Sequence, residues 1–106
     1  MSDKIKRLKE EMIIIYGGRC WINKWYFGNK LTYHHILERR NGGKAVWDNG
    51  ALLLRASHDY LNYLDNNYHK LYNELNGLFY DLNRTFAPPT EEYYEEVERV
   101  LKKVRK

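Results

Sequence analysis

Leu31-Thr32-Tyr33-His34-His35-Ile36, then Asn41-Gly42-Gly43, then Asn49-Gly50-Ala51-Leu52-Leu53-Leu54 leading to Ser57-His58, is the stretch on which the fold reading turns. Aromatic and β-branched residues from Arg19 to Ile36 predict two extended segments separated by a turn around Gly28-Asn29. Asn41-Gly42-Gly43 marks a loop, and Asp48-Asn49-Gly50 a second turn before the short apolar strand Ala51–Leu54. Ser57 is the expected N-cap of a long helix. Tyr60, Leu64, Tyr68, Leu71 and Leu75 form its stripe, broadened by Leu61 and Tyr72. Leu78 and Leu82 keep the period, so the helix continues through Gly77 or breaks there. A β-hairpin with this helix packed across it brings the His34-His35 pair, Asn49 and His58 around one small volume.

Outward from this block, Asp3 to about Tyr16 has helical spacing, with Ile5, Leu8 and Met12 on one face and Ser2 or Asp3 as cap. Lys4, Lys6, Arg7 and Lys9 leave the other face basic, and Gly17-Gly18 ends the helix. Pro88-Pro89 precedes a last helix capped by Thr90, with Tyr93, Val97, Val100 and Val104 along one face. Glu91 and Glu92 open that helix and Lys102, Lys103, Arg105 and Lys106 close it, as the helix dipole favours. The expected architecture is α+β: residues 1–86 as one domain with its core at 19–76, and 87–106 as a C-terminal helix folded back on it.

The chain has 106 residues, enough for one domain with a modest core. At 43% hydrophobic and 15% aromatic it is a folding composition, and ten tyrosines stock it with side chains that keep a polar end. One cysteine excludes an internal disulfide and any zinc site of four thiolates. Without a signal-peptide pattern or a long apolar run, the expected location is the cytoplasm. The net charge is +4, and residues 19–55 hold seven Lys and Arg against only Glu38 and Asp48. Positive charge thus gathers around the histidines, with Arg39, Arg40, Lys44 and Arg55 as candidate phosphate contacts.

The quoted block, 28 residues from Leu31 to His58, resembles the HNH endonucleases, the ββα-metal or His-Me finger family. It is most similar to small stand-alone members encoded by phages and prophages. The resemblance implies a ββα-metal core flanked by an N-terminal helix, a long helix after the hairpin and a C-terminal helix. It implies His34 and His58 as ligands of one divalent ion and His35 as general base. Asn49, grouped with His35 in the catalytic motif, takes the role of bracing the metal loop by hydrogen bonds. Asn62, one turn after His58, matches a position where some members place another ligand. Two imidazoles suit a transition ion; manganese, nickel, zinc and magnesium all stay open. The implied substrate is DNA, and the small phage proteins that the chain resembles often accompany the terminase.

The sequence departs from many members of that family at the structural zinc knuckle. Where two Cys-x-x-Cys pairs stand in those proteins, this chain reads Cys20-Trp21-Ile22-Asn23 and Leu54-Arg55-Ala56-Ser57. Cys20 is then expected to be a small buried side chain, with Leu54 and Trp21 supplying apolar packing. His69 is read as structural or exposed. A second reading keeps the fold as a binding module, an inhibitor or adaptor docking on another protein. Monomer and homodimer both remain open.

Overall fold

The structure, a computed structural model, describes residues 3–105. The cap expected of Ser2 and the terminal charge of Lys106 lie outside the described residues. Helix α1 (Asp3–Tyr16) buries Leu8, Met12 and Tyr16, an i, i+4, i+8 stripe, and leaves Lys4 and Lys6 in solvent, while the half-buried Lys9 donates to the Leu31 carbonyl (3.2 Å). It ends where Gly17 adopts φ +86°, a left-handed conformation in which the amide returns to the Ile13 carbonyl (2.8 Å).

The two extended segments expected between Arg19 and Ile36 reduce to one. Residues 19–30 make only a single isolated bridge, Arg19 to Phe27. The cause lies at Cys20. Its Sγ accepts backbone N–H groups from Ile22 (3.4 Å), Asn23 (3.3 Å) and Leu54 (3.3 Å), so the chain curls around the sulfur instead of extending. The Trp21 amide bonds the Leu52 carbonyl (2.8 Å), and the Asn23 side chain takes the Trp25 amide (3.0 Å). Backbone groups that a ladder needs are therefore already committed.

Strand β1 (Leu31–His35) pairs antiparallel with β2 (Gly50–Leu54), from Leu31 opposite Leu54 to His35 opposite Gly50. Ala51, Leu52 and Leu53 are all fully buried, because both faces of this small sheet are covered. By the pleat, Thr32 and His34 share one face. The connection between the strands carries two short 3-10 turns, Arg39–Asn41 and Trp47–Asn49. Gly42 sits at φ +91° after the first turn. At Gly43 a Cβ would come within 1.7 Å of the Leu37 carbonyl oxygen, so only glycine permits this close return.

Helix α2 (Arg55–Asn67) starts directly at the end of β2, with Leu54 at its N-cap position, three residues earlier than expected. Ser57 is therefore not its N-cap; it lies inside the first turn, buried. The expected long helix is two helices. It breaks at Tyr68 (φ −142°, ψ 59°) and resumes as α3 (His69–Asn83), running unbroken through Gly77. Asn66 and Asn67 donate their side-chain amides to the carbonyls of Asn62 and Tyr63 (3.1 and 2.9 Å), a local competition that weakens a helix end. The break swings Tyr72, Asn76 and Phe79 against His34.

Helix α4 (Glu91–Lys102) begins at Thr90, whose hydroxyl accepts the Tyr93 amide (3.1 Å), and folds back on α3. Val97 and Val100 enter the common core. The Tyr93 and Tyr94 hydroxyls donate to the carbonyls of Trp21 (2.7 Å) and Cys20 (2.6 Å). Trp21 sits fully buried, edge-on to Tyr16 (5.1 Å) and Phe79 (6.0 Å). The molecule is thus α+β, with four helices around one antiparallel strand pair, and among the described residues no helix is long and apolar enough to cross a membrane.

Candidate functional site

A cleft of about 340 Å³ opens beside the end of β1 and the start of α2, lined by His34, His35, His58 and Asn62 with Arg39 and Arg40 at its mouth. The strand register and the abrupt β2–α2 junction create it. His34 stands one residue before the end of β1, opposite Ala51, and four residues after β2 the first turn of α2 presents His58. The two rings stand edge-on, 5.5 Å between centroids, although 24 residues separate them.

His34 is 5% exposed and contacts Asn76 Oδ1 through Nε2 at 2.9 Å. Burial lowers its pKa to about 4, opposed in part by the Asn76 bond, so the ring is neutral at pH 7. His58 is half-buried, with Nδ1 2.8 Å from the Thr32 hydroxyl. Burial, and then the Arg55 guanidinium, lower its pKa as well. His35 is half-buried and stands edge-on to Tyr33 (4.9 Å), whose hydroxyl donates to the Val46 carbonyl (2.6 Å). Its pKa is lowered by burial and by Arg39. His35 Nε2 is covered and has no hydrogen-bond partner, a cost of about 1–3 kcal/mol for a buried polar atom.

Asn49 does not line the cleft. Its Oδ1 accepts the Leu37 amide (2.8 Å), its Nδ2 donates to the Leu37 (3.1 Å) and Lys44 (2.9 Å) carbonyls, and its own carbonyl takes the Ile36 amide (2.9 Å). One buried side chain thereby closes the loop that follows His35. Asn62 is exposed at the cleft edge. The four candidate phosphate contacts divide. Arg39 and Arg40 reach the cleft, Arg40 paired to Glu38 (3.1 Å). Lys44 and Arg55 lie outside it, with Arg55 paired to Asp59 (2.8 Å). His69 is exposed and bonded to Asp65 (2.9 Å). Cys20 is a buried free thiol.

Thr32 and Asn76 are contacts that sequence reasoning missed. Thr32 was within reach, since two residues before His34 is the same pleat face. Asn76 lies 42 positions from His34, on a helix whose direction depends on the break at Tyr68, and no local signal marks it. No family model, curated protein or solved structure matches the chain.

Proposed function

We propose that the chain is a metal-dependent endonuclease of the HNH, ββα-metal type that hydrolyses phosphodiester bonds in DNA. One observation carries this reading: His34 and His58 meet at 5.5 Å in the cleft that His35 also lines. Among the described residues no three His, Cys, Asp or Glu side chains cluster to cage an ion. The available donors are two neutral imidazoles and the Asn62 amide, which fits an open site for a transition ion or manganese better than one for magnesium. A divalent cation bound there supplies charge relief to a phosphate oxygen and to the leaving 3′ oxygen.

The chain's own residues do the rest. His34 and His58 hold the cation, both neutral at pH 7 because burial lowers their proton affinity. His35 takes the proton of the attacking water. The residue lines the cleft and its lowered proton affinity keeps the ring neutral and able to accept at neutral pH. Arg39 and Arg40 grip the flanking phosphates, and Asn49 fixes the loop that follows His35 and carries Arg39.

Incubating supercoiled plasmid with the protein and manganese, nickel, zinc or magnesium tests the proposal. Nicking with at least one ion, reduced 100-fold or more in His35→Ala, is expected of a lost general base. Nicking with none of the ions, or equal nicking by His35→Ala, overturns it. The binding-module reading draws on Trp25 and Phe27, which are 84% and 74% exposed beside Lys24 and Arg19. Inactivity in every ion together with a stoichiometric protein complex would favour that reading.

A further inference from the structure

We infer that Thr32 and Asn76 are positioning residues that fix the two cleft imidazoles in opposite tautomers, leaving Nε2 of His58 and Nδ1 of His34 as their free donor atoms. The inference rests on the proposed cation site for its purpose, but the tautomers follow from proton counting alone. Thr32 Oγ1 lies 2.7 Å from the Leu53 carbonyl oxygen and 2.8 Å from His58 Nδ1. A hydroxyl owns one proton, and a carbonyl oxygen has none to give. The short oxygen–oxygen contact therefore takes the Thr32 proton, and Thr32 Oγ1 can only accept from His58. His58 then carries hydrogen on Nδ1, and its remaining lone pair is on Nε2.

The same counting applies to His34. Its Nε2 meets Asn76 Oδ1 at 2.9 Å, and an amide oxygen accepts, so the ring hydrogen sits on Nε2 and the lone pair on Nδ1. The Tyr72 ring packs edge-on to His34 at 6.3 Å, beside the Asn76 contact. Both rings keep a single tautomer, so each presents one donor nitrogen and neither must shift a proton before binding a divalent cation. Thr32 carries out this role from the strand and Asn76 from a helix 42 residues beyond His34.

Long-range ¹H–¹⁵N correlation spectra of the metal-free protein, recorded above the ordinary imidazole range, distinguish protonated from bare ring nitrogens. The expected result is a protonated Nδ1 on His58 and a protonated Nε2 on His34. Thr32→Val, which keeps the branched shape, should mix the His58 tautomers, while Thr32→Ser should restore the single one. Zinc titration should show affinity reduced about 10–100-fold in Thr32→Val and recovered in Thr32→Ser. A bare Nδ1 on His58 or a bare Nε2 on His34 in the unmodified protein overturns the assignment. Unchanged spectra and zinc affinity in folded Thr32→Val overturn it too. Plasmid that stays intact while the spectra read as expected would defeat the nuclease reading and leave the tautomer assignment standing.

Discussion

His34 exchanges water for an amide partner and three aromatic rings, those of His58, Tyr72 and Phe79. Its proton affinity falls from the ordinary 6.5 to about 4, so between these values the unfolded chain binds a proton that the folded chain refuses. Stability then rises with pH across that window, is complete above about 6.5, and is lost as pH falls toward 4. The loss attributable to His34 is about 3 kcal/mol at most, and the lowered affinities of His35 and His58 act in the same direction. Urea unfolding from pH 7.5 to 4 should show the decline, and His34→Gln, which keeps a polar partner for Asn76, should flatten it. That His34 and His58 share a site was legible in their order around two turn motifs. What surrounds His34 was not, because Tyr72, Asn76 and Phe79 come from a helix whose direction is decided by long-range packing.

Among the elements, the strand Gly50–Leu54 and its loop could be read from sequence because local chemistry governs them: an apolar run behind an Asn-Gly turn, and glycines where the chain returns on itself. The segment 19–30 could not. Its aromatic pattern suits a strand, but three amides aimed at one sulfur dictate a curl. The helical region failed for a subtler reason, since the apolar period runs through Tyr68 as if nothing changed there. The interruption falls where asparagines compete for backbone carbonyls, not at Gly77, which lies on an exposed face of α3 with no atom within 4 Å of an added Cβ. Gly77→Ala should therefore stabilise the protein by about 0.5–1 kcal/mol by reducing unfolded-chain entropy, seen as a rise in Tm. A fall in Tm would mean that α3 is strained at that position.

For the whole molecule, the C-terminal helix does more than cover an apolar face. It places Val97 and Val100 in the common core, and its two tyrosine hydroxyls hold the Cys20–Trp21 turn, which in turn grips β2 through the Leu54 and Trp21 amides. A chain of contacts therefore runs from α4 through the turn to the strand that carries α2 and His58. Tyr94→Phe leaves the Cys20 carbonyl without its buried donor and should cost about 1–2 kcal/mol, lowering Tm by about 5–10 °C. Thermal melts of the variant beside the unmodified protein measure this directly.

The lone sulfhydryl at the centre of that turn acquires a practical meaning. Sealed from solvent by the helix that the tyrosines pin down, it should resist alkylating reagents while the protein stays closed, and react when the last helix lifts away. The speed of labelling at position 20 then times the opening of the C-terminal segment, and a faster reaction in Tyr94→Phe would tie that motion to a single phenol.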